Sequence, residues 1–409
     1  MTEHYDALET RSTDARMAAI AAALPRAVAA AQRGAPHFTR LLDGVDAGAV
    51  TDAAALARLP VTRKSALIAQ QAEDPPFGGL APLIHMARVF ASPGPIYEGQ
   101  ANTPDPWRFA RALFASGLRA GDLLHNCFAY SFTPAGFMLD LGARALGCPV
   151  FPGGTGHTEM QARAAAHLRP RSYSGTPDFL KAILEKGDEL GLDLASLRVG
   201  HVTGGAYLPS LRDWYAARGL TVLQSYGTAD LGMVAYESEA REGLILDEGV
   251  VVEILRPGTG DPVPDGEVGE IVVTTLDAQH PLIRFATGDL SAILPGVSPC
   301  GRTNRRIRGW MGRADQAAKV RGMFVRPEQV AEVLRAVPGV TRARLVVALE
   351  GERDTMLLRA ETGDASAGPA LERALQAATK LRGAVEVVPP GSLPNDGKVI
   401  DDTRPVPAG

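Results

Sequence analysis

Between Leu118 and Tyr226 short apolar runs alternate with amphipathic stretches, and this rhythm restricts the fold more than any other feature of the sequence. "GDLLHNCFAY" precedes "TPAGFMLDLGARALG", and "CPVFPGG" precedes "EMQARAAAHL". "RSYSG" leads into "TPDFLKAILEKGDELG", "LRVGHVTGG" into "LPSLRDWYAARG", and "LTVLQSYG" closes the series. Strands buried on both faces read as continuous apolar runs, and parallel neighbours need helical crossovers between them. Five such runs and four amphipathic stretches predict an α/β fold with a helix-covered parallel sheet. Upstream, residues 11–33 are Ala-rich at helical spacing and predict a helix, while "VTRKSALIAQ" predicts another, capped by Thr62.

After Tyr226 the texture changes. "LILDEGVVVEILRP", "GEVGEIVVTTL" and "PLIRFATGDLSAIL" carry β-branched runs with turn pairs such as Asp265-Gly266, which predicts a β-rich part at about 235–300. Further on, the pattern predicts helix 327–337, strands 340–348 and 354–361, helix 367–380 and strand 383–388. That is a small α+β unit, so the chain divides into a large part, 1–313, and a C-terminal domain, 314–409.

Composition excludes several functions. A net charge of −4 argues against a nucleic-acid or anionic-membrane surface as the main partner. The three cysteines, Cys127, Cys148 and Cys300, are far apart and lack zinc-ligand spacing. The opening "MTEHYDALETRSTDARMAA" is polar and acidic, unlike a signal peptide, and the apolar stretch that follows is broken by Pro25 and Arg26. The expectation is a cytoplasmic protein with no membrane span.

The stretch "ARVFASPGPIYEGQAN" poses a problem of its own. Ser92, Gly94 and Gly99 suit a turn that cradles an anion, because glycine lets backbone N–H groups converge. Pro93 and Pro95 carry no N–H, and no Lys or Arg lies between Arg88 and Arg108. An ordinary Pro/Gly turn fits these residues as well.

Four further segments follow in order. "QSYGTADLG" ends a predicted buried strand and offers a ring for stacking and a carboxylate for a hard cation. "IRFATGDL" offers an Asp able to accept two vicinal hydroxyls. "GWMGRADQAAKVRGMFVRPEQVAEVL" holds a Gly-Arg-x-Asp turn, and "SLPNDGKVIDD" holds a lysine on a Gly-containing loop. Taken singly, each also suits an ordinary turn, a helix cap or a solvated lysine.

The ordered set, together with "LPVTRKSAL" and "PGTGDPVPDGEVGEIVVTTL", resembles the phenylacetate–CoA ligase family of the adenylate-forming acyl-CoA synthetases over nearly the whole chain. The resemblance implies ATP, Mg²⁺ and CoA as cofactors and a small carboxylic acid as substrate. It implies catalytic roles for Lys398 and Asp230, with Asp230 also meeting the metal. Tyr226, Gly227 and Thr228 would contact the nucleotide, Tyr226 by stacking on adenine. Asp289 and Arg313 would lie at the ribose. "TGGAY" would form the adenine pocket with Gly204, Gly205 and Ala206. Asp315 would be the hinge on which the small domain moves. Phe128, Tyr130 and Phe132 would line an acyl pocket, although core packing explains such rings equally well. His125 and His157 are candidates near the acid's carboxylate, and both also suit structural roles. The likeness leaves homodimerisation open.

Three departures bear on function. The phosphate-loop position reads "ASPGPIYEG", keeping Ser92 and Gly94 but not the family's hydroxyls and lysine, with Tyr97 as a polar group that could reach a phosphate and Glu98 adding an unexpected charge. The Tyr-Gly motif ends in Asp230, a methylene shorter than glutamate, and Ala206 replaces a glutamate. The leading expectation is acid activation through an acyl-adenylate, then transfer to CoA. The alternatives are a stand-alone adenylating or amide-forming enzyme, and a binding protein that keeps the fold without catalysis.

Overall fold

The computed structural model describes residues 3–81, 86–92, 94–205, 207–314, 317–321, 323–350 and 353–404. The five expected strands, Leu124–Asn126, Val150–Pro152, Ser172–Gly175, Val199–Val202 and Thr221–Thr228, form the parallel half of a nine-stranded sheet. Four antiparallel strands continue it from Gly232–Tyr236 through Leu244–Leu246 and Arg306–Ile307 to Ile293–Leu294. The helices cover both faces. Phe109–Ala115 and Ala135–Ala145 pack with Leu124, Met233 and Tyr236 in one core. Thr158–Leu168, Pro177–Glu189 and Pro209–Ala217 pack with Tyr173, Val202 and Val222 in another.

Leu124–Asn126 sits between Val150–Pro152 and Ser172–Gly175, so successive connections leave it in opposite directions. Such a reversal opens a crevice at the carboxyl ends of the strands, and Cys127–Phe132 leaves the sheet there.

Val250–Leu255, Gly269–Thr275 and Phe285–Ser291 form a second sheet, against which the helix Thr13–Gly34 packs with Leu24, Val28 and Ala31. Its edge strand corrects one expectation. Thr62 is not a helix cap: Thr62–Arg63 pairs in parallel with Phe285–Ala286, Lys64–Ala66 is a 3₁₀ turn, and the helix starts only at Leu67. Of the stretch 91–99, Ala91–Ser92 and Ile96–Gly99 lie in the paired strands of a hairpin, Met86–Ser92 and Ile96–Ala101. At the C-terminus, Pro327–Ala336 and Gly368–Thr379 pack on the sheet Ala384–Val388, Arg353–Thr362, Val340–Glu350 and Ile400–Asp402 around its own core. Among the described residues no helix is long and apolar enough to cross a membrane.

Candidate active site

Asp289 gathers three side chains around its carboxylate. It lies in a strand buried along its whole length, Phe285–Ser291, and Gly288 before it has a φ of 77°. Its Oδ2 accepts from the Tyr226 hydroxyl at 2.9 Å, and its Oδ1 from Trp310 Nε1 and the Arg313 guanidinium, both at 3.0 Å. An isolated antiparallel bridge also joins the backbones of Asp289 and Arg313. Burial first, then the Asp289 charge, pushes the Tyr226 phenol well above its ordinary pKa, so it remains a donor. Tyr226, Asp289 and Arg313, singled out far apart in sequence, thus meet. Trp310 was not anticipated, since a half-exposed tryptophan after a Gly carries no distinctive signal.

Asp230 follows from the turn after Tyr226. A Cβ on Gly227 would meet the Gly232 carbonyl oxygen at 2.5 Å, so only glycine permits this closure. Thr228 Oγ1 accepts from the Leu231 N–H at 3.2 Å, and Asp230 is left facing Lys64, whose Nζ lies 2.5 Å from Asp230 Oδ2. Glu98, from the hairpin, shares a cavity with Asp230 and His280. One Glu98 oxygen accepts from the Ser92 hydroxyl, while Oε2 is buried with no hydrogen-bond partner. Burial, followed by the charge of Asp230, raises the Glu98 carboxyl to about 7. Gln71 fixes the hairpin by bonding both the N–H and the carbonyl of Tyr97, whose ring is exposed. Gly94 lies at the tip; Pro93 is outside the described residues.

The aromatic run does not form a single wall. Phe128 is buried beside Phe90 and Met138, Tyr130 is half-buried, and Phe132 is 82% exposed with a left-handed φ of 61°. Asn126 donates to the Tyr130 oxygen at 2.7 Å, and the Tyr130 hydroxyl donates to Asp140 at 3.0 Å, which fixes the ring against Phe137. The Phe132 carbonyl accepts from the Ala91 N–H at 2.8 Å, joining this run to the hairpin. Gly204 and Gly205 are exposed beyond Val199–Val202, and Gly204 faces the Phe128 ring. Ala206 lies outside the described residues. His125 bonds Gln161 at 2.7 Å and is kept neutral by burial, whereas His157 stands at the start of Thr158–Leu168.

Lys398 is placed differently. A Cβ on Gly397 would strike Val268 and Leu290, so its loop lies against Leu290, the neighbour of Asp289 on the other face of the strand. The Lys398 ammonium is half-exposed and pairs with Asp401 at 2.9 Å. Asn395 ties the loop down by accepting from the Val268 N–H at 2.9 Å and donating to the Gly266 carbonyl at 3.1 Å. The structure therefore does not bring Lys398 to Asp230 or Asp289 in this arrangement. Asp315 lies outside the described residues. A cavity of about 220 Å³ opens between the two parts of the chain, lined by Arg63, Gly288, Arg313 and Arg326. Among the described residues no three His, Cys, Asp or Glu side chains gather as a metal-binding group.

Residues 122–276 match the AMP-binding enzyme family. The chain is 34% identical over 362 residues to the phenylacetate-coenzyme A ligase of Thermus thermophilus, covering 83% of this chain and 80% of that one. It is 30% identical over 397 residues to the phenylacetate-coenzyme A ligase of Escherichia coli, covering 92% and 89%. Among solved structures it resembles 2-hydroxyisobutyryl-CoA ligase in complex with 2-HIB-AMP and CoA in the thioesterification state, with a TM-score of 0.69 and 26% identity over 97% of this chain and 91% of that one. The same ligase in its postadenylation state gives 0.70, at 26% identity and 96% and 91% coverage.

Proposed function

The chain belongs to the phenylacetate–CoA ligase family, and on that premise we propose that it activates a small aromatic carboxylic acid with ATP and passes the acyl group to CoA. The acid's carboxylate oxygen attacks the α-phosphorus, the bond to the β-phosphate oxygen breaks, and pyrophosphate leaves. The CoA thiol then loses its proton and attacks the acyl carbon, which expels AMP and leaves the thioester. Both partners in the first step are anions, so positive charge fixed around them lowers the barrier. The observation that carries this reading is the Tyr226–Asp289–Arg313 cluster at the carboxyl-terminal edge of Thr221–Thr228.

In this reading Asp289 and Arg313 receive the ribose, and Tyr226 stacks on the base from the same cluster. Gly204, Gly205 and Ala206 complete the nucleotide pocket, and Phe128 and Tyr130 border the acyl group, with Phe132 closing over it. Asp230 supplies a hard oxygen donor, and the orphaned Oε2 of Glu98 shares its cavity, so these residues fit a magnesium ion. Bound there, it would neutralise phosphate charge. Residues 314–409 form the small domain, turning about Asp315. That turn breaks the Asn395 contacts with Val268 and Gly266 and carries the Lys398 ammonium to the reacting carboxylate. The arrangement described above, with Lys398 docked away, suits the thioester step. ATP and CoA place the enzyme in the cytoplasm, in keeping with the free, buried thiols of Cys127, Cys148 and Cys300.

The test is direct. Incubated with phenylacetate, ATP, Mg²⁺ and CoA, the protein yields phenylacetyl-CoA and AMP in equal amounts. Failure with phenylacetate and with every ring-substituted relative of it would overturn the assignment.

A further inference from the structure

Glu98 is an unusual residue to bury. It is 6% exposed, and its neighbours are another carboxylate, Asp230, and one ammonium, Lys64. The Ser92 hydroxyl occupies one of its oxygens and thereby fixes the direction of the other. That other oxygen, Oε2, has no partner although it is buried, an arrangement that costs free energy in the folded chain. Asp230 and Glu98 line the same cavity. Lys64 bonds only one of them, Asp230, at 2.5 Å. Ionised, the two carboxylates carry one negative charge more than this single ammonium offsets.

A divalent cation answers both deficits, since it balances two carboxylates and gives Oε2 a partner. Magnesium is commonly held by one or two protein carboxylates, with water and phosphate oxygens completing the shell, so no third carboxylate is required. The short reach of Asp230 and the presence of Glu98 then belong together, because the hairpin supplies a second carboxylate to the cavity that Asp230 lines. We propose that Glu98 and Asp230 form a two-carboxylate site for a divalent cation, in which Lys64 is the counter-charge that the metal displaces. Lys64 is suited to leave, because its side chain is 22% exposed against 7% for Asp230. The hairpin at 86–101 is thus a metal-binding element of this chain. This inference rests on the proposed ATP-dependent reaction for its purpose, but not for its test.

Manganese binding to the full chain, without nucleotide or acid, is followed by electron paramagnetic resonance, and Tm is measured with and without Mg²⁺. The wild type should bind one equivalent of Mn²⁺ and gain Tm with Mg²⁺. Glu98→Gln should lose affinity by about tenfold or more and lose the Mg²⁺-dependent gain in Tm. Lys64→Met, which removes the competing ammonium, should bind Mn²⁺ more tightly than the wild type. Equal affinity in wild type and Glu98→Gln would overturn the site, as would a wild type that binds no Mn²⁺ at millimolar concentration. Weaker binding by Lys64→Met would overturn the displacement of Lys64. Should phenylacetyl-CoA form while Mn²⁺ affinity is indifferent to Glu98, only this inference fails. Should no thioester form, the reaction assignment fails and the titration still decides the site.

Discussion

Lys64 and Asp230 stand 166 positions apart in the chain, yet the ammonium of one lies 2.5 Å from the carboxylate of the other. The pair joins the segment after the edge strand Thr62–Arg63 to the turn that follows Tyr226. Lys64→Ala leaves a nearly buried carboxylate without its cation and should destabilise the metal-free protein by roughly 1–3 kcal/mol, less than for a fully buried pair because Lys64 is partly solvated. Urea unfolding measures this, and an unchanged midpoint would mean that solvent already screens the pair.

Glu98 gives the metal-free protein a specific pH dependence. Its ordinary value is 4.5, and in the folded chain it rises to about 7. Below 4.5 the carboxyl is protonated in both states and imposes no penalty. As pH rises from there to about 7 the unfolded chain releases the proton and the folded chain keeps it, so stability falls across that window and levels off above it. The loss amounts to roughly 3 kcal/mol. Glu98→Gln should remove this slope in chelator-treated protein. Identical pH profiles for variant and wild type would refute it.

Asp289→Ala removes the acceptor shared by Tyr226, Trp310 and Arg313. ATP affinity should weaken by roughly 1.5–3 kcal/mol for each ribose hydrogen bond lost, with no change in which acid is used. Equilibrium dialysis of ATP together with an acid panel separates the two effects. Unaltered ATP binding would assign the cluster a purely structural role.

Lys398→Ala should lower acyl-adenylate formation by about 10²-fold or more, while thioester formation from a supplied acyl-adenylate continues. In the structure Lys398 pairs with Asp401, and Asn395 of the same loop bonds Gly266 and Val268. Equal losses in the two steps would rule out a lysine that serves only the first.

The fold was legible where burial leaves a local signature. Strands such as Val199–Val202, buried at every residue, show as short runs without a charged carboxylate, lysine or arginine, and the helices between them show their 3.6-residue stripe. Thr62 was misread because its strand is defined by a partner, Phe285, far along the chain, and a two-residue strand has no period to detect. Tyr226, Asp289 and Arg313 were legible through their ordered motifs. Lys64 was not, since an ion pair with Asp230 is a tertiary fact, and Glu98 reads in the sequence only as an unexpected charge at the phosphate-loop position, with nothing to show that the hairpin buries it. The exposure of Phe132 depends on a left-handed backbone that an aromatic run does not announce.

The most direct test of the whole account is ATP–pyrophosphate exchange over a panel of aryl and short aliphatic acids, followed by addition of CoA. Exchange should require an acid, be strongest with an aryl acid, and give way to AMP and acyl-CoA release once CoA is present. Exchange that CoA does not convert to thioester would instead mark an adenylating enzyme with another acceptor, and the absence of exchange with every acid would contradict catalysis by this site.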